Sequence, residues 1–137
     1  MENILIIHIF STLFMCGLCW FVQVVHYPLF KEINRSEFSN YERKNLLYTS
    51  FVAIPIMAIE GLSGLYLLYL NQDFLHLINV ILLVVVGLST FIFQAPLHLK
   101  LLINPSFFLI TKLIRTNWIR TVVWSVRSGL MFYIITF

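Results

Sequence analysis

The sequence predicts an all-α integral membrane protein: a four-helix bundle running up-down-up-down, with a short interfacial helix before the fourth span. Three observations predict it. Hydrophobic residues make up 60% of the 137 positions and charged ones 11%, with a mean hydropathy of +0.90. A typical soluble domain is roughly 45–50% apolar and about 25% charged. Four stretches reach the ~20 mostly apolar residues that a helix needs to cross a bilayer. Within those stretches the polar residues recur at steps of three and four, which keeps them on one face of each helix. So small a soluble protein would lack the charges to cover its apolar surface. A water-soluble enzyme, a disordered tail and a nucleic-acid module are thereby excluded, and the lipid bilayer is the expected partner.

Residues 1–137 form one transmembrane domain with no internal repeat, low-complexity tract or linker. The first span runs from Ile4 to about Phe30; it is too long for a signal-peptide core and has no basic residue before it. The second, about Leu46 to Leu70, and the third, Leu75 to about Leu99, are split only by Asn71-Gln72-Asp73-Phe74, a tight turn that makes them an antiparallel hairpin. The fourth runs from about Trp118 to Phe137. Asn34-Arg35-Ser36-Glu37 has the spacing of a capping box, which predicts a helix from about Arg35 into the second span. Between Pro105 and Asn117, Phe107, Phe108, Ile110 and Leu113 accompany Lys112 and Arg115, a pattern that predicts a separate helix lying in the interface.

Charge sets the direction. Lys31, Arg35, Arg43 and Lys44 lie in the first connection, and Lys100, Lys112, Arg115 and Arg120 in the third. The N-terminus and the 71–74 turn carry no Lys or Arg. The positive-inside rule then puts both basic connections in the cytoplasm and both termini on the outer face. A bacterial inner membrane is the expected location.

The polar stripes carry the chemistry. The first reads His8, Thr12, Cys16, Cys19, Gln23, His26, Phe30; the third reads His76, Asn79, Leu83, Gly87, Thr90, Gln94, His98. The fourth reads Asn117, Arg120, Trp124, Arg127, Met131, and the second Thr49, Ala53, Ile56, Glu60, Gly64. Lipid penalises such groups, so the stripes are expected to face one another. Glu60 and Arg127 lie at matching mid-span depth, where two opposite charges most simply pair. Gln23, His26, Gln94, His98, Asn117 and Arg120 cluster nearer the basic ends.

Three readings of that cluster stand side by side. His26, His98 and Glu60 supply the two imidazoles and one carboxylate of a non-haem metal site, and histidines from two helices can also ligate haem. Against this, Glu60 lies deeper than either histidine and no Glu-x-x-His pair is present. Alternatively, His26 and His98 act as acid–base groups beside a bound apolar molecule, with Gln94 or Arg120 holding a developing oxyanion. Or the polar groups only tie helix to helix, at about 0.6 kcal/mol each in one measured membrane system. His8 and His76, close to the outer ends, fit packing or simple exposure. Cys16-Gly17-Leu18-Cys19 has CxxC spacing but sits inside a helix, away from the N-terminus that activates such thiols. Pro28, Pro55 and Pro96 are expected to kink or end spans and so widen an interior cavity. No phosphate-binding loop, nucleophile elbow, zinc-finger spacing or His-Glu-x-x-His motif occurs.

Gln94-Ala95-Pro96-Leu97-His98-Leu99-Lys100-Leu101, followed by Asn117-Trp118-Ile119-Arg120-Thr121, resembles the small four-helix membrane family that includes the fungal anthrone oxygenases. That family has a similar Asn-x-Pro-Leu-Asn motif ending its third helix and Asn-x-x-Arg-Thr opening its fourth. Tyr27-Pro28-Leu29-Phe30 fits the same layout, whereas Gln94 and His98 stand where the family has asparagines. The resemblance implies an oxygenase-like role on a hydrophobic, aromatic molecule, with or without a metal. A looser likeness to the membrane protoporphyrinogen oxidases keeps haem among the cofactors considered. The combined expectation is an oxidoreductase acting on a small lipophilic substrate. In it His26, His98 and Glu60 are catalytic, and Gln23, Gln94, Asn117, Arg120, Trp124 and Arg127 contact the substrate. The competing expectation is a non-catalytic membrane module: a ligand carrier, a small-solute pathway or an assembly subunit, working as a homo-oligomer.

Overall fold

The computed structural model describes residues 2–137 as four long helical rods: α1 (Glu2–Glu32), α2 (Arg35–Asn71), α3 (Phe74–Ile103) and α4 (Phe107–Thr136). No strand occurs among the described residues. The rods form a ring in chain order: α1 packs on α2, α2 on α3, α3 on α4, and α4 closes on α1. The diagonal pairs meet through long side chains instead. One end of the bundle carries the chain termini and the 71–74 turn; the other, the basic end, carries the connections at 33–34 and 104–106.

Three rods, α1 to α3, are long and apolar enough to cross a membrane. Their outward faces are apolar: Phe51 is 83% exposed, Phe91 77% and Leu62 72%. Charged residues Lys112, Arg115, Arg120 and Arg127 are strung along α4, yet it still turns Val122, Val126 and Phe132 outward.

Two local expectations are corrected. Residues 107–117 are not a separate interfacial helix. Ser106 caps a single helix, accepting from the Leu109 backbone N–H at 3.2 Å, and α4 then runs unbroken for 30 residues, about 45 Å. Asn104-Pro105 ends the preceding rod, and nothing between Phe107 and Asn117 breaks the helix. Helix α2 does begin at Arg35, but the Asn34 side chain makes no capping bond. Its backbone carbonyl accepts from Glu37 and Phe38 instead. At the 71–74 turn, Gln72 takes a left-handed conformation (φ 50°). Asp73 then caps α3 by accepting from the His76 N–H at 2.9 Å.

Prolines reshape two of the rods. Val22–His26 in α1 and Thr90–Gln94 in α3 are π-helical turns, each ending two residues before a proline, Pro28 or Pro96. A proline lacks the N–H that an α-helix needs and clashes with the preceding turn. Widening that turn by one residue relieves the conflict and rotates everything beyond it. The inward stripe of α1 therefore passes through Cys19, Gln23, Tyr27 and Phe30, so that Tyr27 is buried and His26 half-buried. In α3 it steps by five, from Ser89 to Gln94. Pro55 lies within the continuous helix α2.

Close approach in the terminal half of the bundle depends on Gly64. A Cβ there would sit 2.9 Å from Cε1 of His8, whose ring is hydrogen-bonded on both sides to Ser63 and Asn79 and cannot retreat without losing one bond. Gly64→Ala is expected to destabilise by about 1–3 kcal/mol, the usual range for overpacking. Gly61→Ala, which meets nothing within 4 Å, should leave the melting temperature of the purified protein unchanged or slightly raised. Equal shifts for the two variants would refute the close-packing account.

Candidate functional site

Two buried polar networks occupy the interior. The one in the terminal half centres on Glu60 and Arg127, both with no exposed surface. Arg127 Nη1 lies 2.5 Å from Glu60 Oε1, and the indole N–H of Trp124 donates to both carboxylate oxygens at 3.1 and 3.2 Å. Arg127 Nε donates to Asn79 Oδ1 at 3.0 Å. The direction of the remaining bonds follows. Asn79 Nδ2 donates to His8 Nε2 at 2.8 Å, so the ring proton of His8 sits on Nδ1 and faces Ser63 Oγ at 2.8 Å. Ser63 passes its own proton to the Ile59 carbonyl. His8 is thus completely buried rather than exposed at the end of the bundle. Every member except Arg127 and Trp124 on α4 comes from α1, α2 or α3, so this network ties both diagonals of the ring.

The second network lies nearer the basic end. His26 Nε2–H donates to Asn45 Oδ1 at 2.7 Å, which also accepts from Thr49. Asn45 Nδ2 donates to Glu42 Oε2 at 3.1 Å. The other carboxylate oxygen, Oε1, accepts a very short bond from His98 Nδ1. That fixes the His98 tautomer, leaving Nε2 to accept from the Tyr27 hydroxyl at 2.9 Å. Because His26 and Tyr27 are chain neighbours, the series His26–Asn45–Glu42–His98–Tyr27 closes on itself across α1, α2 and α3. Glu42, which anchors both histidines, is fully buried.

This series borders a cavity of about 330 Å³, at the lower end of the range for small-molecule sites. Its lining includes the polar side chains of Tyr27, His26, Asn45, Gln94, His98 and Arg120 and the hydroxyl residues Thr49, Ser50 and Thr90; the rest is mainly apolar, including Val22, Leu46, Met57 and Phe91. Gln94 donates to Thr116 at 2.9 Å, leaving its carbonyl toward the Tyr27 hydroxyl at 3.4 Å. The Arg120 guanidinium lies over the Trp124 ring at 5.4 Å. Its Nε is buried without a hydrogen-bond partner, and no carboxylate comes within ion-pair distance of it among the described residues. A carboxylate-backed imidazole joined to a phenol, with a cation lining the same cavity, is equipped to take a proton and stabilise the anion left behind.

The expected site residues are therefore divided. His26, His98, Gln94 and Arg120 meet at the cavity. Glu60, Trp124 and Arg127 form the other network, so His26, His98 and Glu60 do not converge as a ligand set. Among the described residues, no group of three or more His, Cys, Asp or Glu is placed to hold a metal ion. Gln23 and Asn117 bond to each other at 2.9 Å and Thr121 joins them, which ties α1 to α4 and takes both away from the cavity lining. The cysteines are free; Cys19 lines the cavity wall and Cys16 faces Ser125.

Glu42 and Tyr27 are the members of the candidate site that sequence reasoning missed. Glu42 was within reach: Phe38, Glu42, Asn45 and Thr49 continue the α2 stripe at steps of four, three and four, beyond the apolar stretch. Tyr27 was hidden by the π turn, which replaces His26 with its neighbour on the inward face.

The fold and site together define an all-helical four-helix bundle with a mainly apolar cavity bordered on one side by a polar network. No protein-family model matches the chain, and searches of curated proteins and of solved structures also find no match.

Proposed function

We propose that the chain is an integral membrane protein of four spans, basic end in the cytoplasm, that acts as an oxygenase-like oxidoreductase on a small lipophilic aromatic molecule. The observation that carries this reading is the Glu42–His98–Tyr27 relay ending in an apolar cavity. The relay supplies what proton abstraction needs. Tyr27 or His98 takes the proton from an acidic hydroxyl or a ring-activated C–H, Glu42 stabilises the imidazolium that results, and Arg120 with Gln94 faces the anion. Positioning in a mainly apolar cavity adds to the effect, because charges there are poorly screened.

The resemblance to the anthrone oxygenases supports dioxygen as the oxidant. A methylene between aromatic rings, once deprotonated, gives its electron pair to dioxygen, and CH₂ plus O₂ ends as C=O plus H₂O. The chain's own part is to hold the substrate, remove the proton and exclude water.

The test uses purified protein in lipid nanodiscs with an anthrone carrying free hydroxyls. One O₂ should be consumed per ketone formed, and His98→Ala should be slower by about 10²-fold or more, the range of general acid–base catalysis. Ligand binding without turnover in the wild type would sink the enzyme reading and leave a carrier.

A further inference from the structure

The cavity is closed toward both ends of the bundle. On the basic side the buried cluster of Phe30, Phe38, Leu101, Ile110 and Leu113 fills the space between the rods. On the terminal side Met15, Val86 and Trp124 do the same, backed by the Glu60–Arg127 network. The flank is different. Ile54 on α2, and Phe91 and Ala95 on α3, line the cavity while also lying at the outer surface, with Ile54 61% and Phe91 77% exposed; Leu46 and Ser50 beside them on α2 are half-buried. Helix α2 packs against α3 on either side of the π turn Thr90–Gln94 but scarcely along it. The widened turn that accommodates Pro96 thus leaves a gap between two otherwise adjoining helices.

Arg120, on α4, lines the same cavity. A guanidinium keeps its charge at any ordinary pH, and a cation in apolar surroundings favours a site that brings an opposite charge. Its Nε is the buried donor without a partner. Glu42 cannot fill the role, because its oxygens are taken by His98 and Asn45.

We infer that the cavity is entered sideways from the lipid, through a window between α2 and α3 at the Thr90–Gln94 turn, by a membrane-dissolved weak acid whose anionic oxygen pairs with Arg120. This rests on the membrane placement proposed above and names the ligand class of that same site. An apolar body suits Val22, Leu46, Met57 and Phe91. The single anionic head suits a single cation, and the ligand never crosses water to reach it.

Benzophenone-4-carboxylate is both such an acid and a photo-crosslinker, and its methyl ester is the neutral control. In nanodiscs the acid should label Met57 and the window residues Ser50, Ile54 and Phe91, located by peptide mass spectrometry, at least ten times more than the ester does. Arg120→Met should abolish that preference and Arg120→Lys should keep it. Ser50→Trp, at the half-buried rim, should slow labelling of Met57, while Phe91→Ala, at a position 77% exposed, should speed it. Equal labelling by acid and ester in the wild type, or labels confined to the ends of the bundle, would overturn the inference. Its failure is separable from that of the enzyme reading. Labelling through the window without oxygen consumption removes only the chemistry, and turnover with labels at the ends removes only the window.

Discussion

Glu60→Ala is expected to destabilise the bundle by about 3–5 kcal/mol, the range for breaking a buried ion pair by removing one partner. The deletion strips Arg127 of its counter-charge and Trp124 of its acceptor in one step. Both stay fully buried, and a guanidinium cannot discard its proton to escape the cost. Arg127 already has one nitrogen, Nη2, without a partner, so the site has no spare acceptor to offer. Arg127→Met should cost less, because a carboxyl can neutralise itself by taking up a proton and can still accept from Trp124. The double variant Glu60→Leu/Arg127→Met should be more stable than Glu60→Ala alone, since an apolar replacement of a whole buried pair is often neutral. Thermal unfolding of purified protein, with SDS-induced unfolding as a second measure, reads all three. A Glu60→Ala loss below about 1 kcal/mol, or a double variant as unstable as the worse single one, would show that the pair does not hold the diagonals together.

The same pair shows how far the amino-acid order reaches. Its two charges were legible because depth along a helix is counted in residues, and opposite charges at equal depth have little choice of partner. His8 and Asn79 were legible as members of inward stripes but not as partners of Ser63 and Arg127, which depends on how the rods are rotated. Rotation is where periodicity fails in this chain. Each π turn adds one residue to a helical turn and swings the following side chains onward by about 100°, the angle per residue of a helix. Tyr27 replaces His26 on the inner face for that reason. The warning lay in the repeated x-Pro-Leu after a polar residue, in Tyr27-Pro28-Leu29 and Ala95-Pro96-Leu97, which hydropathy alone passes over. Glu42 was missed for another reason. It lies before the apolar stretch of α2, in the predicted helix but among the bases of the first connection, where a charged residue reads as solvated.

Residues 107–117 show the opposite error. Bases among aromatics resemble an interfacial helix when each segment is judged alone. Whether such a segment joins the next helix depends on the presence of a breaker, and between Phe107 and Trp118 there is none. The cavity was legible only in outline. Prolines near His26 and His98 point to widening, but which neighbours separate depends on which helix fails to follow the bend, and that is a property of the assembled ring.

Glu42→Gln should lower kcat by about 10²–10⁴-fold, the usual contribution of acid–base catalysis, with KM changed little. Glu42 does not line the cavity; in the proposed reaction it acts through His98, as a positioning residue. A glutamine can still accept from His98 Nδ1, so the tautomer survives, but the negative charge that stabilises the imidazolium is gone. Its new amide N–H₂ also competes with that of Asn45, loosening the hold on His26. Tyr27→Phe is the complementary variant. The ring keeps its packing on Phe30, at a centroid distance of 5.3 Å, and on His98 at 5.5 Å, while the hydroxyl bridging His98 to the cavity is lost. If that hydroxyl passes the proton, Tyr27→Phe loses activity as severely as Glu42→Gln, while leaving the buried His98 Nε2 unpaired costs only about 1–3 kcal/mol of stability. Arg120→Met should raise KM and lower kcat as well, since it removes a group that holds the acidic head of the ligand and also faces the anion left when the proton moves. A Glu42→Gln variant with raised KM and normal kcat would mean that the carboxylate only shapes the cavity, and proton transfer would then have to be assigned to His26, the remaining imidazole at the cavity wall.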